Sequence, residues 1–284
     1  MYKRDDMTGS ANDTNAAAIR IGPEPNIAVD HMGQGPLVVF LHGIGGNRTN
    51  WHDQLPVFAE HFTAASWDAR GWGDSDDYEG PLRFEDMCAD LERVLDHFEV
   101  TSAHLVGLSM GGLIVQDFCA RNPGRVASMI LVDTNNGPAK SMSEAEIAEF
   151  VRLRKQPLLE GKEPKDIAEP VARSLLSPSA SDAIVQRMID SMTMLHKDSY
   201  LKAIETVARY EGPDLTTLRA PSMLVVGADD TLTPPSVHRE MADQLQQARY
   251  LEVPDAGHLC NIEKPAEFNQ AVLNFLFGHR DRAL

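Results

Sequence analysis

The sequence predicts an α/β fold in which a mostly parallel, twisted β-sheet carries helices on both faces. Segments with strand character and segments with helix character alternate along most of the 284 residues. Several strand segments, such as residues 37–41, are continuous apolar runs, which are typical of strands buried on both faces of a parallel sheet. Between residues 137 and 212 the alternation stops and only helix patterns remain, which indicates a helical cap inserted into the core domain.

The first part of the chain supplies a leader and most of the predicted sheet. Residues 1–16 are rich in Asp, Asn, Thr and Ala, and we predict a disordered leader there. The first part of the core domain spans residues 17–136. Its predicted strands lie at residues 17–21, 26–31, 37–41, 63–67, 103–106 and 126–132. Its predicted helices lie at about residues 49–61, at 87–98, where apolar residues recur at helical spacing, and directly after residue 109.

The predicted cap, residues 137–212, contains four candidate helices at about residues 143–156, 165–176, 182–194 and 199–210. The first of them opens with Ser143 and Glu146, the pattern of a capping box. Prolines 157, 164, 178 and 213 separate the helices. The second part of the core domain, residues 213–284, then adds strands at 221–226 and 250–253 and helices at 237–245 and 265–277.

Composition excludes several classes of function. The net charge of −16 argues against a nucleic-acid or anionic-membrane partner, because both bind clustered Lys and Arg. The three cysteines, Cys88, Cys119 and Cys260, share no metal-ligand spacing, and their odd number does not indicate a disulfide framework. The sequence contains neither a secretory signal nor an apolar run of bilayer length, so we predict a cytoplasmic protein with no membrane association.

Two glycine-rich loops follow predicted strands. Residues 42–48 fail the dinucleotide pattern because Arg48 stands where the third glycine is needed, and they also lack a P-loop signature. We therefore predict neither a nucleotide nor another cofactor, and we expect His42 to support this loop. In the second loop, residues 68–75, Asp68 and Arg70 are more typical of a structural pairing that holds the turn together than of a catalytic site.

The motif Gly107-Leu108-Ser109-Met110-Gly111 stands between a predicted strand and a predicted helix. In this context the pattern Gly-x-Ser-x-Gly is typical of a nucleophile elbow, in which a serine occupies a sharp strand-to-helix turn. A serine hydroxyl needs a base to remove its proton, and histidine, held by a carboxylate, suits that task. His258 follows a predicted strand, as do the candidate acids Asp230, Asp229 and Asp133, so all of these side chains are expected at one edge of the sheet.

Taken together, these motifs resemble those of the α/β-hydrolases that carry a cap. The resemblance covers about residues 17–277 and rests on His42-Gly43, Gly107-x-Ser109-x-Gly111, Gly227-x-x-Asp230-x-x-x-Pro234 and Gly257-His258. It implies Ser109 as nucleophile, Asp230 as acid and His258 as base. It also implies that the backbone N–H groups of Ile44 and Met110 form the oxyanion hole.

The implied function is hydrolysis of a small-molecule carboxylic ester or lactone without a metal ion. The sequences around Ser109 and His258 are most similar to those of 3-oxoadipate enol-lactonases and carboxylesterases. Two other hypotheses remain open, namely carbon–carbon bond hydrolysis or cofactor-free perhydrolysis by the same triad, and a small-molecule receptor of the same fold.

The cap contains no motif that identifies the substrate. Its candidates for a pocket lining are Phe150, Met192, Met194 and His196, although Met and aromatic residues at helical spacing are also ordinary core residues. Its candidates for binding a substrate carboxylate are Arg152, Arg173 and Arg187, although solvated helix faces explain them equally well.

Overall fold

A computed structural model of the protein describes residues 16–283. Except for Ala16, the predicted leader lies outside the described residues. Eight strands form one sheet. They are β1 (Ala17–Ile21), β2 (Ile27–Met32), β3 (Leu37–Leu41), β4 (Thr63–Trp67), β5 (Ala103–Leu108), β6 (Val126–Val132), β7 (Ser222–Gly227) and β8 (Arg249–Val253).

The sheet has the strand order β1-β2-β4-β3-β5-β6-β7-β8. Strand β2 pairs antiparallel with both β1 and β4, and every other pairing in the sheet is parallel. Strands β3, β5 and β6 are buried along their whole length, since hydrophobic clusters cover both faces. The predicted α/β class with a mostly parallel sheet is therefore confirmed.

Ten α-helices occur among the described residues. They are α1 (Leu55–Ala59), α2 (Phe84–His97), α3 (Met110–Arg121), α4 (Glu144–Leu159), α5 (Pro164–Leu175), α6 (Asp182–Thr193), α7 (Lys197–Ala208), α8 (Pro235–Gln244), α9 (Cys260–Glu263) and α10 (Pro265–Phe277). No helix within residues 16–283 combines the length and the apolar character that crossing a bilayer requires.

The helix predicted over residues 49–61 is wrong. The structure instead has a 3₁₀ turn, Arg48–Trp51, followed by the short helix α1. Pro56 explains the break, because it has no N–H to donate to the carbonyl of His52 and so interrupts an α-helical ladder there. The Asn47 side chain also accepts from the N–H of Thr49, which caps the 3₁₀ turn instead.

Residues 137–212 contain helices α4 to α7 and none of the eight strands. Helix α4 begins with the predicted capping box, in which Ser143 and Glu146 bond to each other's backbone N–H groups. Pro157 lies in the last turn of α4 and does not end it. The helix therefore continues past the end predicted at residue 156. The division of the chain into core and cap domains at residues 136/137 and 212/213 remains a prediction.

The Asp68 carboxylate helps to hold its turn together, as expected, because it accepts from Asp74 N–H at 2.9 Å. Asp68 and Arg70 also form ion pairs, whose partners lie outside the turn. The buried Asp68 carboxylate pairs with Arg48 and accepts from the Arg48 N–H at 2.7 Å. Arg70 donates to both carboxylate oxygens of Asp90 on α2, at 2.6 and 2.8 Å. These pairs therefore connect the loop after β4 to the glycine-rich loop after β3 and to α2.

Candidate active site

Ser109 lies at the turn between β5 and α3 with φ +53° and ψ −115°. L-residues rarely adopt this region, and holding it costs about 1–3 kcal/mol, which the surroundings must supply. A Cβ at Gly107 would clash with the carbonyl oxygen of Gly111, and a Cβ at Gly111 would clash with that of Leu41. Both glycines of the motif are thus required by close backbone contacts, as the elbow pattern predicts.

The elbow is held by hydrogen bonds around its backbone. Ser109 N–H donates to the carbonyl of Val132 at 2.9 Å, and the Ser109 carbonyl accepts from Thr134 Oγ1 at 2.8 Å and from Gly112 N–H at 2.9 Å. Ser109 is also the N-cap of α3, so the partial positive charge of that helix N-terminus lies next to its hydroxyl.

Within residues 16–283, the backbone N–H groups of Ile44, after β3, and of Met110, the first residue of α3, donate no hydrogen bond. Gly43 brings the β3 loop close, since a Cβ added there would lie 3.2 Å from Ser109 Cβ. Of the two predicted amides, Met110 therefore lies at the turn of the serine itself, and Ile44 lies in the neighbouring loop after β3 and lines a cavity together with Ser109.

His42 fixes the peptide that carries the Ile44 N–H. Its Nδ1 donates to the Gly43 carbonyl at 2.7 Å, and its Nε2 accepts from Ala69 N–H at 3.0 Å. Burial lowers the pKa of His42, so the ring is neutral at pH 7. Because the C=O and N–H of a trans peptide point in opposite directions, holding the Gly43 carbonyl directs the Ile44 N–H away from His42. His42 supports its loop, as predicted.

Asp230 and His258 form a buried pair. His258 Nδ1 lies 2.8 Å from Asp230 Oδ2, and Asp230 Oδ1 accepts from the N–H groups of Leu232 and Thr233 at 2.8 and 3.0 Å. Burial disfavours the ionised carboxyl, but these hydrogen bonds outweigh it and lower the pKa of Asp230 to about 2. Burial likewise opposes protonation of His258, yet the bond to Asp230 prevails and raises the pKa of His258 above its ordinary value.

The other two candidate acids do not bond to the imidazole. Asp229 is exposed. Asp133 is fully buried, and its oxygens accept from the N–H groups of Gly227, at 2.8 Å, and Cys260, at 3.0 Å. Burial, reinforced by the charge of Asp230, raises the pKa of Asp133 to about 7. Of the three carboxyls, only Asp230 is hydrogen-bonded to the His258 imidazole within the described residues.

Asp133 connects the end of β7 to the segment that follows His258, a role that sequence reasoning missed. We expect Asp133→Asn to lower the free energy of unfolding by about 2 kcal/mol, because an amide cannot accept hydrogen bonds at both of its heavy atoms. Urea denaturation at pH 5 measures this change, because above its raised pKa of about 7 the buried carboxylate carries a cost of ionisation that asparagine would remove. Asp229→Asn serves as the control and should leave stability within about 0.5 kcal/mol; equal stability of the two variants would contradict the role of Asp133.

Ser109 and His258 line one cavity. Within residues 16–283, neither Ser109 Oγ nor His258 Nε2 makes a hydrogen bond, so both atoms are free to contact a ligand in the cavity. Catalytic hydrogen bonds are often long before substrate binds. The backbone N–H of His258 donates to the carbonyl of Leu175 at 2.7 Å, which attaches the histidine loop to the end of α5.

The cavity lining corrects the sequence-based candidates. Met192 lines it, whereas Phe150, Met194 and His196 do not. The missed lining residues of the helical segment are Ala172, Leu175 and Met188. A second missed residue is Thr233, whose hydroxyl donates to Asp230 Oδ2 at 2.7 Å; its position three residues after an Asp is a recognisable turn signal.

The described residues contain no cluster of three or more His, Cys, Asp or Glu side chains that could hold a metal ion. Cys88, Cys119 and Cys260 are buried free thiols.

Comparison with known proteins gives a consistent result. A family model described as the alpha/beta hydrolase fold matches residues 36–265. BpoC of Mycobacterium tuberculosis, which carries the provisional name of a non-heme bromoperoxidase, is 32% identical over 88% of this chain and 97% of its own. The 3-oxoadipate enol-lactonase 2 of Acinetobacter baylyi is 27% identical over 87% of this chain and 91% of its own.

Among solved structures, a thermophilic esterase of Thermogutta terrifontis, solved with malate bound, superposes with a TM-score of 0.85 and 26% identity. The match covers 93% of this chain and 100% of the esterase chain. The enol-lactonase of Burkholderia xenovorans superposes with a TM-score of 0.79, over 89% of this chain and 96% of its own; at 24% identity this likeness concerns the fold.

Proposed function

Because the chain belongs to the alpha/beta hydrolase family, we propose that it is a serine hydrolase that cleaves small carboxylic esters or lactones through an acyl-enzyme on Ser109. One observation carries the proposal. The buried Asp230–His258 pair, joined at 2.8 Å, opens onto the same cavity as a serine on a strained elbow beside two unpaired N–H groups.

Each group has a role in the acylation step. His258 Nε2 takes the hydroxyl proton as Ser109 Oγ bonds to the carbonyl carbon, and the Ile44 and Met110 N–H groups stabilise the oxyanion that forms. Asp230 keeps the proton on Nδ1, so that Nε2 is the basic nitrogen, and it stabilises the imidazolium. The intermediate then collapses, the bond to the leaving oxygen breaks, and that oxygen receives the proton from His258.

Deacylation repeats these steps with water. His258 removes a proton from water, whose oxygen bonds to the acyl carbon, and the bond to Ser109 Oγ breaks as Oγ regains a proton. The product is a carboxylic acid and, for a lactone, the acid retains the hydroxyl end of the opened ring. Besides the substrate and water, the proton transfers involve only Ser109 Oγ and His258 Nε2.

A second candidate is supported by the similarity to BpoC. In perhydrolysis, hydrogen peroxide replaces water in deacylation and the product is a peracid. Assaying both products from one ester in the presence of millimolar peroxide distinguishes the two reactions, since a perhydrolase forms more peracid than acid.

Labelling with a fluorophosphonate tests the proposed function without knowledge of the substrate. We expect one adduct by intact mass, because an activated serine displaces fluoride from phosphorus and an ordinary serine does not. The adduct should be absent from Ser109→Ala and retained by Asp229→Asn. An unlabelled, folded wild-type protein that also fails to hydrolyse short esters would overturn the proposal.

A further inference from the structure

The cavity beside Ser109 is small and apolar. It encloses about 60 Å³, the space of a few water molecules. Helices α5 and α6 contribute Ala172, Leu175, Met188 and Met192 to its wall, and the core contributes further aliphatic side chains. Such a space fits a short aliphatic acyl group, because burial of each CH₂ in contact with these side chains is favourable.

The polar side chains that line the cavity are few and uncharged apart from the catalytic histidine. Among the described lining residues they are Ser109, His258 and Asn50. The Asn50 oxygen already accepts from Asn47 N–H at 2.7 Å and from Ser191 Oγ at 3.2 Å. Its amide nitrogen lies 3.8 Å from the Met188 sulfur, a weak acceptor, so Asn50 offers a neutral donor to a substrate oxygen and no positive charge.

No Lys or Arg occurs among the described residues that line the cavity. The three arginines that the sequence suggested for a substrate carboxylate are paired elsewhere: Arg152 with Glu149, Arg173 with Glu169, and Arg187 with Asp53. A carboxylate placed in this cavity would thus be desolvated without an arginine or lysine partner, which is strongly unfavourable.

Protonated His258 would be the one cation near such a carboxylate, and that form cannot act as the base. Asp230 is hydrogen-bonded to His258 Nδ1 at 2.8 Å, so a second carboxylate near this ring would also be repelled. A substrate carboxylate is therefore expected to weaken both binding and catalysis.

On these grounds, and resting on the proposed function, we infer that this enzyme selects uncharged esters or lactones with a short apolar acyl group and rejects those whose acyl group ends in a carboxylate. Two of the similar proteins are associated with carboxylates, one through its name and one through its bound ligand. The inference distinguishes this protein from both. Adipate is a dicarboxylate, so an enol-lactone of 3-oxoadipate keeps one free carboxylate.

Ethyl butyrate and monoethyl succinate form a matched pair for the test. They share the leaving group and a four-carbon acyl chain, and they differ in whether that chain ends in a methyl group or a carboxylate. We expect kcat/KM, measured as acid release in a pH-stat, to be at least about 100-fold higher for ethyl butyrate. A ratio within threefold, in a protein that the fluorophosphonate labels at Ser109, would overturn the inference and leave the proposed function intact.

A charge added at the cavity mouth provides the second arm. Leu232 lines the cavity and is 44% exposed, so it can accept a longer polar side chain. Leu232→Arg should lower the ratio of kcat/KM for ethyl butyrate to kcat/KM for monoethyl succinate by about tenfold, because the guanidinium supplies the missing partner for the succinate carboxylate. Leu159→Arg, which adds the same charge at a 68% exposed site outside the lining, should keep the wild-type ratio. If both variants lowered this ratio equally, the net charge of the protein would set the selectivity, and the inference would be overturned.

Discussion

Replacing Ser109 with alanine is expected to lower kcat by about 10⁵- to 10⁶-fold, because the covalent route is lost and water must attack the substrate without nucleophilic assistance. The oxyanion N–H groups and the cavity remain, so some rate above the uncatalysed reaction should survive. Initial rates of ethyl butyrate hydrolysis at saturating substrate measure the loss. A kcat within about 100-fold of wild type would contradict the assignment of Ser109 as the nucleophile.

Alanine is the appropriate replacement at this turn. Residue 109 has φ +53°, so an alanine keeps both the backbone conformation and its strain, whereas glycine would relieve that strain and change stability. We expect the melting temperature of Ser109→Ala to stay within a few degrees of wild type. Retained stability together with lost turnover assigns the effect to the missing hydroxyl.

Much of the sheet could be predicted from the sequence because its central strands have no polar face. Residues 37–41 and 126–132 are fully buried, so their apolar runs mark the strand bounds without ambiguity. The elbow could be predicted for a related reason. The pattern Gly-x-Ser-x-Gly states a local steric requirement, and the structure shows that both glycines meet backbone atoms where a Cβ would stand.

Features that depend on long-range partners could not be predicted in the same way. Arg48 lies 20 residues from Asp68 in sequence, and nothing local to the loop after β4 indicates their ion pair. The contact between His258 N–H and the Leu175 carbonyl depends on how α5 is placed over the sheet. Helix packing likewise decides that Met188 lines the cavity while Phe150 does not.

The choice among three candidate acids shows where sequence reasoning ended. Asp229 and Asp230 are adjacent, and only the turn after β7 decides that Asp229 is exposed while Asp230 is buried against the imidazole. Asp133 also ends a strand at the same sheet edge, but its oxygens are occupied by backbone N–H groups. Spacing alone does not report these orientations.

Replacing Asp230 with asparagine is expected to lower kcat by about 10⁴-fold, the size of effect known for the equivalent change in a serine protease triad. The asparagine oxygen can still accept from Leu232 and Thr233 N–H, which places its NH₂ group against His258 Nδ1. An NH₂ group there requires Nδ1 to be the acceptor. The proton then resides on Nε2, and that nitrogen can no longer take the proton of Ser109.

The pH dependence of the same variant gives an independent test. Only neutral His258 acts as the base, so wild-type kcat/KM falls as the pH drops through the pKa of His258, which the bond to Asp230 raises above 6.5. Asp230→Asn removes that carboxylate, so the acid limb of its residual activity should move to lower pH. A loss of rate with an unmoved acid limb would indicate a structural defect.

Two matched variants decide between the candidate acids. Asp229→Asn should keep kcat within about twofold, because its exposed carboxylate does not contact the imidazole. Asp133→Asn should lose stability, yet at a temperature where it is folded it should retain far more activity than Asp230→Asn, because it leaves the tautomer of His258 unchanged. The contrary outcome is that Asp133→Asn loses as much activity as Asp230→Asn while still folded. In that case both carboxylates would have to be assigned as acids that act on His258.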